Sequence, residues 1–248
     1  LAALTGLLVV TVFGYPFIRL IREKQFGQTV RTDGPQSHLS KQGTPTMGGL
    51  LIVFGFSVGT LLWADLSNLY IWALLFVSWG FAWVGFLDDY IKIIKKDPKG
   101  LASRWKFRLL VIFGILAAVM LYQAQDSWEG QGNLYFPFLK DVSLDLGAWY
   151  IALSVLVIVG ASNAVNLTDG LDGLAIGPCI INAGAFAALC YLGGNVLFAR
   201  YLQIPFVPEV GELVVFCSAF LGAGVAFLWF NTYPAQIFMG DVGALSWG

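Results

Sequence analysis

Seven stretches of this chain, 1–21, 47–64, 70–87, 109–123, 148–164, 174–192 and 213–230, run almost without charge, Arg19 being the single exception. A helix needs about 20 mostly apolar residues to cross the hydrocarbon core of a bilayer. The runs are continuous rather than alternating, which argues against a membrane β-barrel. The composition agrees. Of all residues 58% are hydrophobic and 12% are charged, where a soluble domain carries about 25% charged residues. The expected fold is therefore all-α, a polytopic integral membrane protein with seven transmembrane helices. A net charge of -1 offers no field that would recruit nucleic acid. Cys179, Cys190 and Cys217 lie inside apolar runs with no CxxC and no histidine partner, and read as small core residues. The chain opens on Leu1 within one apolar run and stops at Gly248 a few residues into another. Residues 1–248 are thus expected to form one membrane-embedded domain, truncated at its C-terminal end.

Basic residues set the expected orientation. Arg19, Arg22, Lys24, Arg31 and Lys41 flank or follow the first run, and Lys92, Lys95, Lys96, Lys99, Arg104, Lys106 and Arg108 follow the third. Only Lys140 and Arg200 fall on the other side. Cytoplasmic loops carry the excess of Lys and Arg, so the N-terminus is expected outside. Segments 22–46, 88–108, 163–173 and 231–241 then face the cytoplasm. The outward segment 124–147 reads as an ordinary solvated loop.

The unusual polar sequence all lies at the predicted cytoplasmic ends. Asp88, Asp89, Asp169, Asp172 and Asp241 flank three different runs. A carboxylate at a membrane boundary is costly unless it is paired or holds a cation, and several together demand one. One histidine in the whole chain and no neighbouring cysteine favour a hard, oxygen-ligated ion, Mg²⁺ before Zn²⁺. Helical spacing makes Lys92 an i,i+4 neighbour of Asp88, so a simple pair would account for that lysine. Asn166 and Asp169 share a helix face, and Gly170 and Gly173 mark a helix end or a close approach of a ligand to the backbone.

The glycines, prolines and threonines of 43–49, with Lys41 beside them, suit two readings. Hydroxyls, free N–H groups and a lysine at a helix start make an anion site; the same residues make a tight turn into the membrane. His38 reads as a hydrogen-bonding loop residue, and Gly55-x-x-x-Gly59 as a helix-packing pair. Together the residues point to a metal and anion site at the membrane boundary, where a water-soluble phosphate compound could meet a lipid.

The segments RTDGPQSHLSKQGTPTMGG, FLDDYIK, NAVNLTDGLDGLA and FLWFNTYPAQIFMGD closely resemble the bacterial phospho-N-acetylmuramoyl-pentapeptide transferases, the MraY family of the polyprenyl-phosphate N-acetylhexosamine-1-phosphate transferase superfamily. The resemblance runs in order over nearly the whole chain. It implies transfer of phospho-MurNAc-pentapeptide from its UDP carrier to undecaprenyl phosphate, giving lipid I and UMP, with Mg²⁺, at the cytoplasmic face of the bacterial inner membrane. The family has ten spans, of which seven would be present here, and its His-rich motif lies outside this sequence. A second copy of the chain and membrane lipids are further candidate partners.

Residue by residue, the resemblance implies that Asp241 binds Mg²⁺ and that Asp88 and Asp89 form the catalytic aspartate pair. It makes Asp169, Asn231, Asn166, Lys41 and Thr46 polar residues of the nucleotide-sugar cleft. Gly170, Leu171, Asp172 and Phe238 would form the uracil pocket, with Phe238 stacked on the base. Within the superfamily, an enzyme using UDP-N-acetylglucosamine would share the aspartates, but the long DGPxSHxxKxGTPTMGG loop favours the muramoyl-peptide branch. An ion-coupled transporter would place its carboxylates nearer the midplane than the ends of spans. A prenyltransferase would need a second DDxxD-like motif.

The orientation is open to direct measurement. With the native cysteines replaced, an impermeant thiol reagent on intact cells is expected to label Gln131→Cys and not Lys95→Cys. Labelling of position 95 alone would invert the topology.

Overall fold

Within lipid a helix satisfies its own backbone hydrogen bonds, and every apolar run forms one. A computed structural model describes residues 1–23, 44–95, 100–126, 128–136, 139 and 142–248. Its helices are α1 (Ala2–Glu23), α2 (Gly49–Trp63), α3 (Leu69–Lys95), α4 (Ser103–Gln123), α5 (Trp149–Thr168), α6 (Ile176–Gly193), α7 (Val196–Leu202), α8 (Leu213–Asn231) and α9 (Gly240–Trp247). The protein is an all-α polytopic membrane protein.

Among the described residues six helices are long and apolar enough to cross a membrane, and α2, with 15 residues, is a shorter apolar helix. The run expected at 47–64 forms a helix, but a shorter one than its apolar length predicts. Residues 44–48 do not extend α2, because their backbone bonds to the segment before α9. Phe238 N–H donates to Pro45 C=O at 2.8 Å, and Gly48 N–H donates to Phe238 C=O at 2.9 Å. At 1.5 Å per residue α2 spans only about 22 Å.

The expected plain loop at 124–147 is corrected too. It contains a two-stranded antiparallel hairpin, β1 (Asn133–Tyr135) with β2 (Ser143–Asp145), which pairs Leu134 with Leu144. Two helices overrun their predicted ends. α3 continues past 87 to Lys95, and α5 past 164 to Thr168. The added turns carry Asp88 and Asp89, both buried, on α3 and Asn166, half-buried, on α5.

Small residues let the helices approach closely, as is usual in membranes. α1 lies against α2 and α8. A side chain on Gly222 would strike the Ala3 carbonyl, and one on Gly6 the Ala219 carbonyl. Gly55 and Gly59 lie against Val10 and Ala2, so the Gly-x-x-x-Gly pair does pack helices. Val10, Ile52, Phe56, Ala223, Phe227 and Phe230 fill the core between them. The segment before α9 runs through this core, with Ile237 and Met239 fully buried. α9 itself is held among α2, α3 and α5. By contrast α5 exposes Trp149, Leu156 and Val157 on its outer face. The three cysteines are free thiols, Cys179 buried.

Where α9 crosses α2, a methyl on Gly49 would fall on the backbone of Gly243, whereas one on Gly160 of α5 would meet nothing within 4 Å. Gly49→Ala is expected to lower thermal stability in detergent by about 1–3 kcal/mol, the usual penalty of overpacking. Gly160→Ala is expected to hold or raise stability, by up to about 1 kcal/mol. Equal midpoints for the two variants would mean that α9 is not docked on α2 as described.

Candidate active site

The overrun of α3 sets the geometry. Asp88 and Asp89 project from its polar last turns and are 2% and 5% exposed. Asp241 enters from the first turn of α9. α9 can lie this close because Gly85 meets the Asp241 and Val242 backbone, leaving no room for a side chain. Gly240 makes the turn at a φ of +70°, and a Cβ there would strike Asp89 Oδ2 and crowd the Thr46 hydroxyl. That position demands glycine. One carboxylate oxygen from each of Asp88, Asp89 and Asp241 lies within 4.8 Å of the others.

Two lysines and several neutral donors balance this charge. Lys92 Nζ lies 2.5 Å from Asp88 Oδ2, 3.0 Å from Asp241 Oδ2 and 3.8 Å from Asp89 Oδ1. Lys106, from the first turn of α4, places Nζ 2.7 Å from Asp241 Oδ2 and 3.8 Å from Asp88 Oδ2. Asn166 Nδ2 donates to Asp241 Oδ1 at 2.9 Å. Leu101 N–H donates to Asp88 Oδ1 at 2.7 Å, and Val242 N–H to Asp89 Oδ2 at 3.4 Å.

Of the five aspartates read from the sequence, three thus share one cluster. Asp169, the cap of α5, lies beside it. Burial pushes its carboxyl up to about 7; the Asp241 charge adds to the rise and the Gly240 N–H opposes it. Asp172 turns elsewhere and accepts from Ala235 N–H at 3.2 Å.

Asn231 is 3% exposed, and its side-chain amide is used at both ends. It accepts from Gly173 N–H at 3.0 Å and donates to Ile237 C=O at 3.0 Å. Asn231 and Asp172 therefore tie the 169–173 turn to the 231–238 segment. Gly170 and Leu171 are exposed on that turn, and Phe238 is half-buried. Thr46 is buried beside Gly240 and Asp89. Lys41 and His38 lie outside the described residues.

The two readings of 43–49 are separated for the residues described. Gly48 and Gly49 are buried, and their N–H groups bond to the carbonyls of Phe238 and Met239. The start of α2 is a packed junction, so its glycines serve close packing and leave those N–H groups to carbonyls instead of an anion. Sequence reasoning also passed over Lys106 as loop charge and took Lys92 as a local partner of Asp88. The local pair exists, but both lysines also reach Asp241. The available signal was two lysines at helical positions beside an acidic pair, inside a basic segment where they did not stand out.

The donor set fits a hard divalent cation. It offers carboxylate oxygens from two helices, with no sulfur and no imidazole among the described residues. Anions held beside two ammonium groups at the end of membrane helices form a site that can manage phosphate charge.

Comparison with known families agrees with this chemistry. Residues 71–248 match glycosyl transferase family 4, and the chain belongs to that family, a phosphosugar transferase of the polyprenyl-phosphate hexosamine-1-phosphate superfamily. Residues 41–53 match signature 1 of the phospho-N-acetylmuramoyl-pentapeptide-transferases. Within the superfamily it stands with those enzymes, in peptidoglycan biosynthesis.

Asp169 makes the site sensitive to pH. A carboxyl whose folded pKa is about 7 instead of the ordinary 3.8 binds more protons folded than unfolded between those values. Its contribution is full below 3.8 and is lost as pH rises through about 7. In metal-free protein, the melting temperature of Asp169→Asn relative to the parent is expected to rise between pH 4 and pH 8. A constant difference across that range would mean that Asp169 is an ordinary exposed carboxylate.

Proposed function

We propose that this chain transfers phospho-MurNAc-pentapeptide from UDP-MurNAc-pentapeptide to undecaprenyl phosphate, releasing UMP and forming lipid I. The observation that carries the reading is the joining of the aspartate pair of α3 to Asp241 and two lysines at one end of membrane helices, in a chain that bears the signature at 41–53. A lipid phosphate can reach such a site from the bilayer and a nucleotide sugar from water. The excess of Lys and Arg in the segments around this end favours the cytoplasmic face by the charge rule, which in this reading is that of the bacterial inner membrane. Residues 1–248 act in this reading as one membrane-embedded transferase domain.

The nucleophile is an oxygen of the lipid phosphate, attacking the β-phosphorus of the donor. A phosphomonoester has a second pKa of about 6 and is largely ionised at neutral pH, so a strong base has little to remove. The harder task is to bring one anion against another. Lys92 and Lys106 supply mobile positive charge where the phosphates must meet, and Lys41 would add a third cation. Asp241, with Asp88 or Asp89, would hold Mg²⁺, which when bound neutralises pyrophosphate charge and stabilises the departing UMP. Asp88 also pairs with both lysines, and Asp89 with Lys92. Asn166 orients Asp241, and Thr46 lines the Asp89 side. Gly170, Leu171 and Phe238 are exposed or half-exposed on the two tied segments, which suits a shallow pocket for uracil. Asp172 and Asn231 shape that pocket through the backbone they hold. Direct in-line attack needs no further group.

The test is the full-length protein with undecaprenyl phosphate and a panel of UDP-sugars, with and without Mg²⁺. Turnover is expected with UDP-MurNAc-pentapeptide and loss of turnover on chelation. Turnover with UDP-N-acetylglucosamine instead would move the chain to another branch of the superfamily. Asp241→Asn keeps the side-chain shape and removes the charge. It is expected to lower turnover by about 10²-fold or more, corresponding to about 3 kcal/mol of lost charge stabilisation, with normal insertion. Near-normal Mg²⁺-dependent turnover in this variant would remove Asp241 from the mechanism.

A further inference from the structure

Asp241 Oδ2 is occupied twice. Lys92 Nζ lies 3.0 Å from it and Lys106 Nζ 2.7 Å, while Asn166 Nδ2 takes the other oxygen at 2.9 Å. Mg²⁺ binds carboxylate oxygen at about 2.0–2.1 Å and keeps an ordered shell of ligands. A dication at that oxygen and two ammonium groups within 3.0 Å of it would crowd three positive centres into one place. Something must leave, and the lysines are the groups able to move. Each ends a flexible four-carbon stem with rotatable donors. Their side chains are 30% and 17% exposed, whereas those of Asp88 and Asp89 are nearly dry at 3% and 6%. Asp241 itself is 18% exposed, close to the value for Lys106, so the flexible stems rather than exposure single out the lysines as the groups to move.

We propose that Lys92 and Lys106 occupy the cation position on Asp241 in the nucleotide-free protein, and that the divalent ion and the donor pyrophosphate load as a coupled pair. The lysines released by the metal find their new partner in the pyrophosphate. Without a nucleotide, a metal entering the site strands two ammonium groups among cations. With a nucleotide, the same lysines gain phosphate oxygens. Each ligand therefore raises the affinity of the other, and by the same factor. The arrangement keeps the three carboxylates compensated at every stage, as a poorly solvated site requires. This inference rests on the proposed metal role of Asp241 and goes beyond it in assigning the lysines to the exchange.

The test measures Mn²⁺ binding to nucleotide-free, full-length protein in detergent, reading free Mn²⁺ by electron paramagnetic resonance. It then measures UDP binding at saturating Mn²⁺. Lys106→Gln is expected to bind Mn²⁺ about tenfold more tightly than the parent and UDP about tenfold more weakly, tenfold being about 1.4 kcal/mol. Lys106→Arg keeps the charge and is expected to follow the parent in Mn²⁺ affinity. The opposite signs matter, because a merely structural role would weaken both ligands together. Where Lys106→Gln fails to fold, Lys92→Gln tests the same oxygen with the same expectation. Asp241→Asn separates the two layers. If it binds Mn²⁺ as the parent does, the metal assignment itself falls. If it loses Mn²⁺ while the glutamine variant binds Mn²⁺ no tighter than the parent, the exchange alone is overturned.

Discussion

Charge compensation around two deeply buried aspartates is the constraint around which this molecule is built. Three carboxylates, from α3 and α9, come within 4.8 Å of one another at the end of an apolar bundle. Left alone they would repel, and each would lose its hydration. Lys92 comes from the same helix as the aspartate pair, and Lys106 comes from the next helix. Backbone N–H groups at Leu101 and Val242 add neutral donors. Positive charge thus enters from two helices to balance negative charge from two helices. The cluster holds only while α3, α4 and α9 stay in register.

That register depends on glycines. Gly85 lets α9 touch α3, Gly49 lets α9 touch α2, and Gly240 allows the turn that carries Asp241 past Asp89 and Thr46. The segment before α9 is fixed from both sides. Pro45 and Gly48 bond to Phe238 on one side, and Asn231 and Asp172 anchor it to the 169–173 turn on the other. Polar residues that a motif comparison assigns to a nucleotide cleft therefore serve two ends. Asn231 and Asp172 hold backbone in place, while Gly170 and Leu171 remain open to solvent. A phosphosugar transferase needs both a stiff frame and an accessible rim, because its substrates arrive from different phases.

The membrane class was legible because hydropathy acts through composition and length. Each apolar run formed a helix, and a chain in lipid has few other ways to satisfy its backbone. The ends of the helices were less legible. The charge of Asp88 read as the close of a span, yet α3 carries on to Lys95, with Asp88 and Asp89 buried against neighbouring segments and not ending the helix. The start of α2 read equally as an anion-binding helix end and as a tight turn into the membrane. Its N–H groups are taken by carbonyls nearly 200 residues further along the chain, roughly the span from Gly48 to Phe238.

By itself the sequence determined an all-α membrane protein, the gathering of its polar motifs at the ends of spans, and a donor chemistry of oxygen and ammonium suited to phosphate and a hard cation. These follow from residue type and local spacing, which act before any folding. Only the tertiary structure decided which aspartates share a cluster, that Asp172 and Asn231 are used by neighbouring backbone, and that Lys106 belongs with Asp241, 135 positions away. Such pairings depend on how closely helices cross. The glycines that permit those crossings carry no chemical signal of their own, so nothing local in the sequence marks which helix will lie against them.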